Sequence, residues 1–242
     1  MMRLFHTPAS HFTRKCTVTI KELGLEQQVE IVPTRWPHAW VTETVPYRRD
    51  FLEATPIARI PALVTDDGIK LADSSTICEY LNDELGDYRL CPPRGRERWR
   101  ILSIASIATS GIMEAQVMRI AEQRRKRPGS PNPQEYSSSF VQKMKERQER
   151  CFIALEQRHV EFAGEPDLGQ IAVGCTCATS DFRFPNDEWR NVAPKLGRWF
   201  DKFRLRRSML ETEPAETPQE PDVERDTASA TLTANVRRNS HA

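Results

Sequence analysis

Apolar residues follow two regimes along this chain. Over the first 85 or so positions they come in short runs with turn residues between them. Met2–Phe5 reads as a strand. From Ser10 to Leu23 the apolar residues Phe12, Cys16, Ile20 and Leu23 recur at helical spacing, and Gly24 stands where a C-cap glycine belongs. Residues 28–32 form the next strand. Residues 33–50 hold three prolines and three aromatics among mixed charges, which predicts a long loop with a helical turn at most. A short helix over 50–54 stops before Pro56. Two strands, 61–65 and 69–73, are joined by Asp66-Asp67-Gly68, a hairpin signal. Ser74–Leu85 carries Ile77, Leu81 and Leu85 on one stripe and is closed by Gly86. The predicted order is βαβ, helix, ββα.

After residues 90–95, "LCPPRG", the strand signals stop. Long helical patterns run over 96–125 and 137–160, separated by a loop at 128–136. Asp167, with Gln170 three residues on, starts a helix in the manner of a capping box. That helix is apolar nearly all round, so it belongs inside the core. Pro194–Arg204 presents Leu196, Trp199, Phe200 and Phe203 on one face. Apolar residues thin out beyond Ser208, and 211–242 has the composition of a disordered tail. The pattern predicts an α/β domain over 1–86 and an all-α domain over 95–208.

Composition narrows the function. With 38% hydrophobic and 29% charged residues and a formal net charge of +1, the chain has no overall field favouring nucleic acid or an anionic membrane. No uninterrupted apolar run approaches the ~18 residues of a membrane span. The opening MMRLFHTPAS lacks the apolar stretch of a signal peptide. The expected location is therefore the cytoplasm, with the six cysteines as free thiols. Cys175 and Cys177 lack a second ligand pair and read as small helix residues, and no metal or cofactor is expected. The basic run 119–129 ends a helix, where cations complement the dipole, and has no interleaved aromatics, so it reads as a solvated helix end.

Three short stretches carry chemistry. "RIPAL" puts Pro61 at the start of a strand, where a proline removes a ladder donor. Asp73-Ser74 opens a helix twelve residues later. Ser10-His11-Phe12 stands at the first turn of the first helix. In this order of elements the stretches resemble the cytosolic glutathione transferase family, of bacterial type, over about residues 2–207.

The resemblance implies a glutathione transferase fold: a thioredoxin-like α/β domain followed by an all-α domain. It implies a cis bond between Ile60 and Pro61, with the Ile60 backbone turned toward the extended glutathione peptide. Asp73 and Ser74 would hold the γ-glutamyl amino and carboxylate groups. Ser10 takes the position at which the family carries Ser or Cys, commonly before Pro-Phe; here His11 replaces that proline. A hydroxyl donating to sulfur, reinforced by the helix N-terminus, favours the thiolate, which is the nucleophile. Ser10 is thus a thiolate stabiliser, and His11 an alternative donor. Cys16 sits on the apolar stripe and reads as core. The electrophile would lie between the domains against the helix containing Ile107, Ser110, Gly111 and Glu114, where Thr109-Ser110-Gly111 replaces the Ala-Asp-Gly common in a bacterial branch. The expected partners are glutathione and a small electrophile, and the expected assembly a homodimer. The alternatives are reductive cleavage or dehalogenation at the same site, and an interaction protein without catalysis.

Overall fold

The computed structural model describes residues 1–34, 48–126 and 133–215. Four strands form one sheet in the order β2-β1-β3-β4. β1 (Met2–His6) lies parallel to β2 (Val29–Pro33), and the connection is α1 (His11–Leu23). After α2 (Arg49–Ala54), β3 (Ala62–Val64) and β4 (Lys70–Ala72) form an antiparallel hairpin, with β3 also antiparallel to β1. The Asp66-Asp67-Gly68 turn has Gly68 at φ 89°, a conformation open to glycine without strain. Gly24 caps α1 in the left-handed region as its position predicted. The expected loop over 33–50 falls largely on 35–47, outside the described residues.

The side-chain period of two decides which face each strand residue serves. Leu4 and Leu63 join the main core with Ile20, Ile77 and Leu81. Phe5 and Ala62 turn to the opposite face and meet Phe51 and Ala54 of α2. Burying such a side chain fully contributes roughly 1.5–3 kcal/mol.

The helix after β4 begins as α3 (Ser74–Tyr80) and widens into a π-helical turn over Leu81–Leu85. Asn82 ends it: its amide oxygen accepts from the Leu90 and Cys91 N–H groups, and its amide nitrogen donates to the Cys91 carbonyl. The second unit holds α4 (Arg96–Ser106), a π-helical segment Ile107–Met113, α5 (Glu114–Arg124), α6 (Ser138–Gln157), α7 (Leu168–Arg183), α8 (Pro194–Phe203) and α9 (Arg207–Leu210). α7 is the buried central helix, as its all-round apolarity predicted.

Three expectations need correction. The continuous helix from Arg96 to Arg124 is, by length and composition, apolar enough to cross a membrane. Counting only uninterrupted apolar residues missed it, because Ser, Thr and Gly break the run. Here Ile101, Ile104, Ala108, Ile112 and Met113 of that helix are buried in the core. The capping box at α7 is half made: Asp167 accepts from the Gln170 N–H at 2.7 Å, but the Gln170 amide turns to the Ala163 carbonyl. The tail expected from residue 211 opens with anchored residues, Glu211 on Lys21 and Thr212 on Arg14; residues 216–242 lie outside the described residues.

Candidate active site

Sheet register brings the three predicted stretches together. Phe5 pairs with Ala62, and Ala62 with Ala72. The C-terminal end of β1, the N-terminal end of β3 and the C-terminal end of β4 therefore share one edge of the sheet. Ser10 follows the first, Ile60–Pro61 precedes the second, and Asp73–Ser74 follows the third.

Ser10 is the N-cap of α1, extended at φ −99°, ψ 117°, and its Oγ accepts from the Thr13 N–H at 3.3 Å. The turn before it is fixed by the Ser10 N–H on the Thr7 carbonyl, and by Thr13 Oγ1 donating to Thr7 and Ser10 carbonyls. Capping occupies a lone pair of the Ser10 hydroxyl and leaves its proton free to donate.

His11 is the first residue of α1 and is buried. Its Nε2 donates to the Met113 carbonyl at 3.1 Å, across the boundary between the two units. Burial takes its pKa down to about 3, with the Met113 carbonyl opposing and Arg183 adding to the shift. A neutral imidazole has one N–H. Its use at Met113 departs from the expected alternative role of His11 as a donor to sulfur.

The Ile60–Pro61 bond is cis, as the resemblance implied. Ile60 precedes β3 and, among the described residues, pairs with no neighbouring strand. Asp73 adopts φ 77°, ψ 128°, where a non-glycine residue is strained by about 1–3 kcal/mol. Its side chain accepts from the Ser75 N–H at 2.6 Å. Ser74 is buried at 2% exposure, and its hydroxyl has no hydrogen-bond partner among the described residues. A buried polar group left unpaired costs about 1–3 kcal/mol.

Sequence reasoning missed Lys15. It lies off the apolar stripe of α1, yet it is buried and its Nζ donates to Ser75 and Thr109 hydroxyls. It also missed Arg59, which is exposed at the rim of a cleft of about 430 Å³. The cleft lies along α5, with Val117, Met118, Ala121 and Phe140 as its apolar lining and Glu114 and Glu122 among its polar residues. Of the residues expected against the electrophile, Glu114 lines this cleft. Gly111 instead faces α6, where a Cβ would stand 2.6 Å from Cys151 Sγ. Cys16 is fully buried in the core, 3.9 Å from Cys78 Sγ. Among the described residues no group of histidines, cysteines and carboxylates could hold a metal ion.

Residues 4–87 match the family model for the glutathione S-transferase N-terminal domain. A glutathione transferase family member from Pseudomonas fluorescens, solved with bound glutathione, is 30% identical, with a TM-score of 0.77 over 89% of this chain and 100% of that one. A glutathione S-transferase from Methylobacillus flagellatus, also with glutathione bound, shares the fold at 24% identity and a TM-score of 0.74, over 89% of this chain and 100% of its own. The uncharacterised GST-like protein YibF of Escherichia coli is 27% identical over 88% of this chain and 98% of its own length.

Proposed function

Since this chain belongs to the glutathione transferase family, we propose that it binds glutathione at the shared sheet edge and activates its thiol against an electrophilic small molecule in the α5 cleft. The observation that carries this reading is the pair Asp73 and Ser74: one residue strained, the next bearing a buried hydroxyl with no partner. Both are unfavourable in the free protein and both are offset by a ligand that offers an ammonium and a carboxylate on one carbon. The γ-glutamyl end of glutathione does so, with its amino group to Asp73 and its carboxylate to the Ser74 hydroxyl. The peptide's cysteinyl part then runs along the unpaired Ile60 backbone beside Pro61, and its sulfur reaches Ser10.

Ser10 donates its free hydroxyl proton to that sulfur. A thiol of pKa ~8.5 is mostly protonated at neutral pH, and each unit by which its pKa falls is worth about 1.36 kcal/mol. The thiol proton leaves to solvent. The thiolate attacks the electrophilic carbon, a carbon–sulfur bond forms, and the leaving group departs with its electron pair.

The test is Ser10→Ala, studied with glutathione and chlorodinitrobenzene. Glutathione affinity should stay within a few-fold, because Ile60, Asp73 and Ser74 remain. The pH–rate profile should move to higher pH, with turnover at neutral pH reduced about ten- to hundred-fold, the worth of one hydrogen bond to a charged group. Superimposable profiles would reduce Ser10 to a helix cap. Absence of glutathione binding by the unaltered chain would favour the interaction protein.

A further inference from the structure

We propose that Lys15 is a positioning residue that fixes the γ-glutamyl carboxylate of glutathione through the Ser75 hydroxyl; this rests on glutathione being the ligand of the site. Lys15 is 3% exposed. Its ammonium donates to Ser75 Oγ at 3.0 Å and to Thr109 Oγ1 at 3.3 Å, both neutral oxygens. Among the described residues no carboxylate pairs with it. A buried cation without an anion is a costly arrangement, and such charges are ordinarily matched.

The direction of the missing anion follows from the protons. Ser75 Oγ spends a lone pair on Lys15, so its own O–H must point elsewhere, and no acceptor takes it among the described residues. The neighbouring Ser74 hydroxyl is buried and also without a partner. The nearby Asp73 carboxylate accepts from the Ser75 N–H and makes no hydrogen bond with Lys15 among the described residues. One turn thus offers two hydroxyl protons, one polarised by a cation behind it. That arrangement suits an anion with two oxygens, and hydrogen bonds fed by an ionised group are the stronger kind. Thr109 ties the same ammonium to the helical unit, so Lys15 holds its aim from both sides.

The experiment compares glutathione with γ-aminobutyryl-cysteinylglycine, which lacks only the glutamyl carboxylate. Affinities for both are measured by calorimetry on the unaltered chain, Lys15→Met and Ser75→Ala. The unaltered chain should prefer glutathione. Each substitution should weaken glutathione binding about ten- to hundred-fold and leave the analogue within about threefold, so the preference collapses. With chlorodinitrobenzene, KM for glutathione should rise while kcat is retained. Equal weakening of both ligands would overturn the inference and leave Lys15 a structural tie between the units. If Lys15→Met fails to fold, Ser75→Ala decides, since it breaks the relay and leaves the lysine in place. An unaltered chain that binds neither ligand would refute the glutathione reading itself, an outcome distinct from equal losses.

Discussion

A neutral imidazole can serve as donor to one partner, and His11 gives its proton to the Met113 carbonyl rather than to solvent or ligand. The cost of charging that ring sets a pH dependence. His11 is held neutral down to about pH 3 and His6 down to about pH 4, both by burial, whereas an unfolded histidine titrates near 6.5. Below pH 6.5 the unfolded chain therefore binds more protons than the folded one, and stability falls as pH drops. The slope is about 1.4 kcal/mol per pH unit for each histidine, or about 2–3 kcal/mol for the pair between pH 7.5 and 5.5. The carboxylates whose pKa is lowered, Glu22, Asp50, Glu97, Glu161 and Glu211, act only below about pH 4.5, while Asp167, which burial raises, opposes the histidines where it titrates. Urea midpoints at the two pH values should differ accordingly, and His11→Phe should roughly halve the difference. An unchanged difference in that variant would mean that the His11 ring titrates normally in the folded state.

At the scale of elements, α7 comes close to the α4 backbone. A Cβ on Gly169 would stand 2.9 Å from the Ile101 carbonyl oxygen and 3.0 Å from Ile104 Cγ2. Helix propensity alone favours alanine there by about 1 kcal/mol, but overpacking against backbone costs about 1–3 kcal/mol and wins. Gly169→Ala should therefore lower the denaturation midpoint; a rise would show that the two helices have room to part. Most such elements could be read from the sequence because their signals are local: Ser10 and Asp167 as caps, Gly24 as a stop, Asp66-Asp67-Gly68 as a turn. The two π-helical segments could not. A π-turn holds one residue more than an α-turn, and a pattern of period 3.6 does not mark where that residue falls. α9 was missed because four residues are too few to show a period.

Over the whole molecule, α1 is the shared element. Its polar residues Thr13, Arg14, Lys15, Thr17 and Thr19 are nonetheless buried, with Arg14 and Lys15 bonded to the helical unit and Thr19 to Cys78 of α3. The Ser10, Pro61 and Asp73-Ser74 stretches were legible because family spacing carries them; Lys15 and Arg59 were not, since their roles depend on which surfaces meet. The same meeting of surfaces gives the C-terminal segment a task. Arg206 pairs with Glu22 of α1 through two bonds of 2.9 Å, Ser208 also bonds Glu22, and Arg14 donates to the Met209 carbonyl at 2.9 Å. Met209 itself is fully buried. Ending the chain after residue 205 would uncover α1 there, removing one buried methionine, worth roughly 1.5–3 kcal/mol, and leaving Glu22 and Arg14 without these partners. A loss of about 3–5 kcal/mol is expected, which for a chain of this size lowers the melting temperature by roughly 10 °C. Ending it after residue 215 keeps every one of these contacts and should leave the melting temperature within about 2 °C of the full chain. If the shorter chain melts with the full one, the segment only lies on α1 and does not hold it; if the longer one melts early, residues beyond 215 contribute to the fold despite their composition.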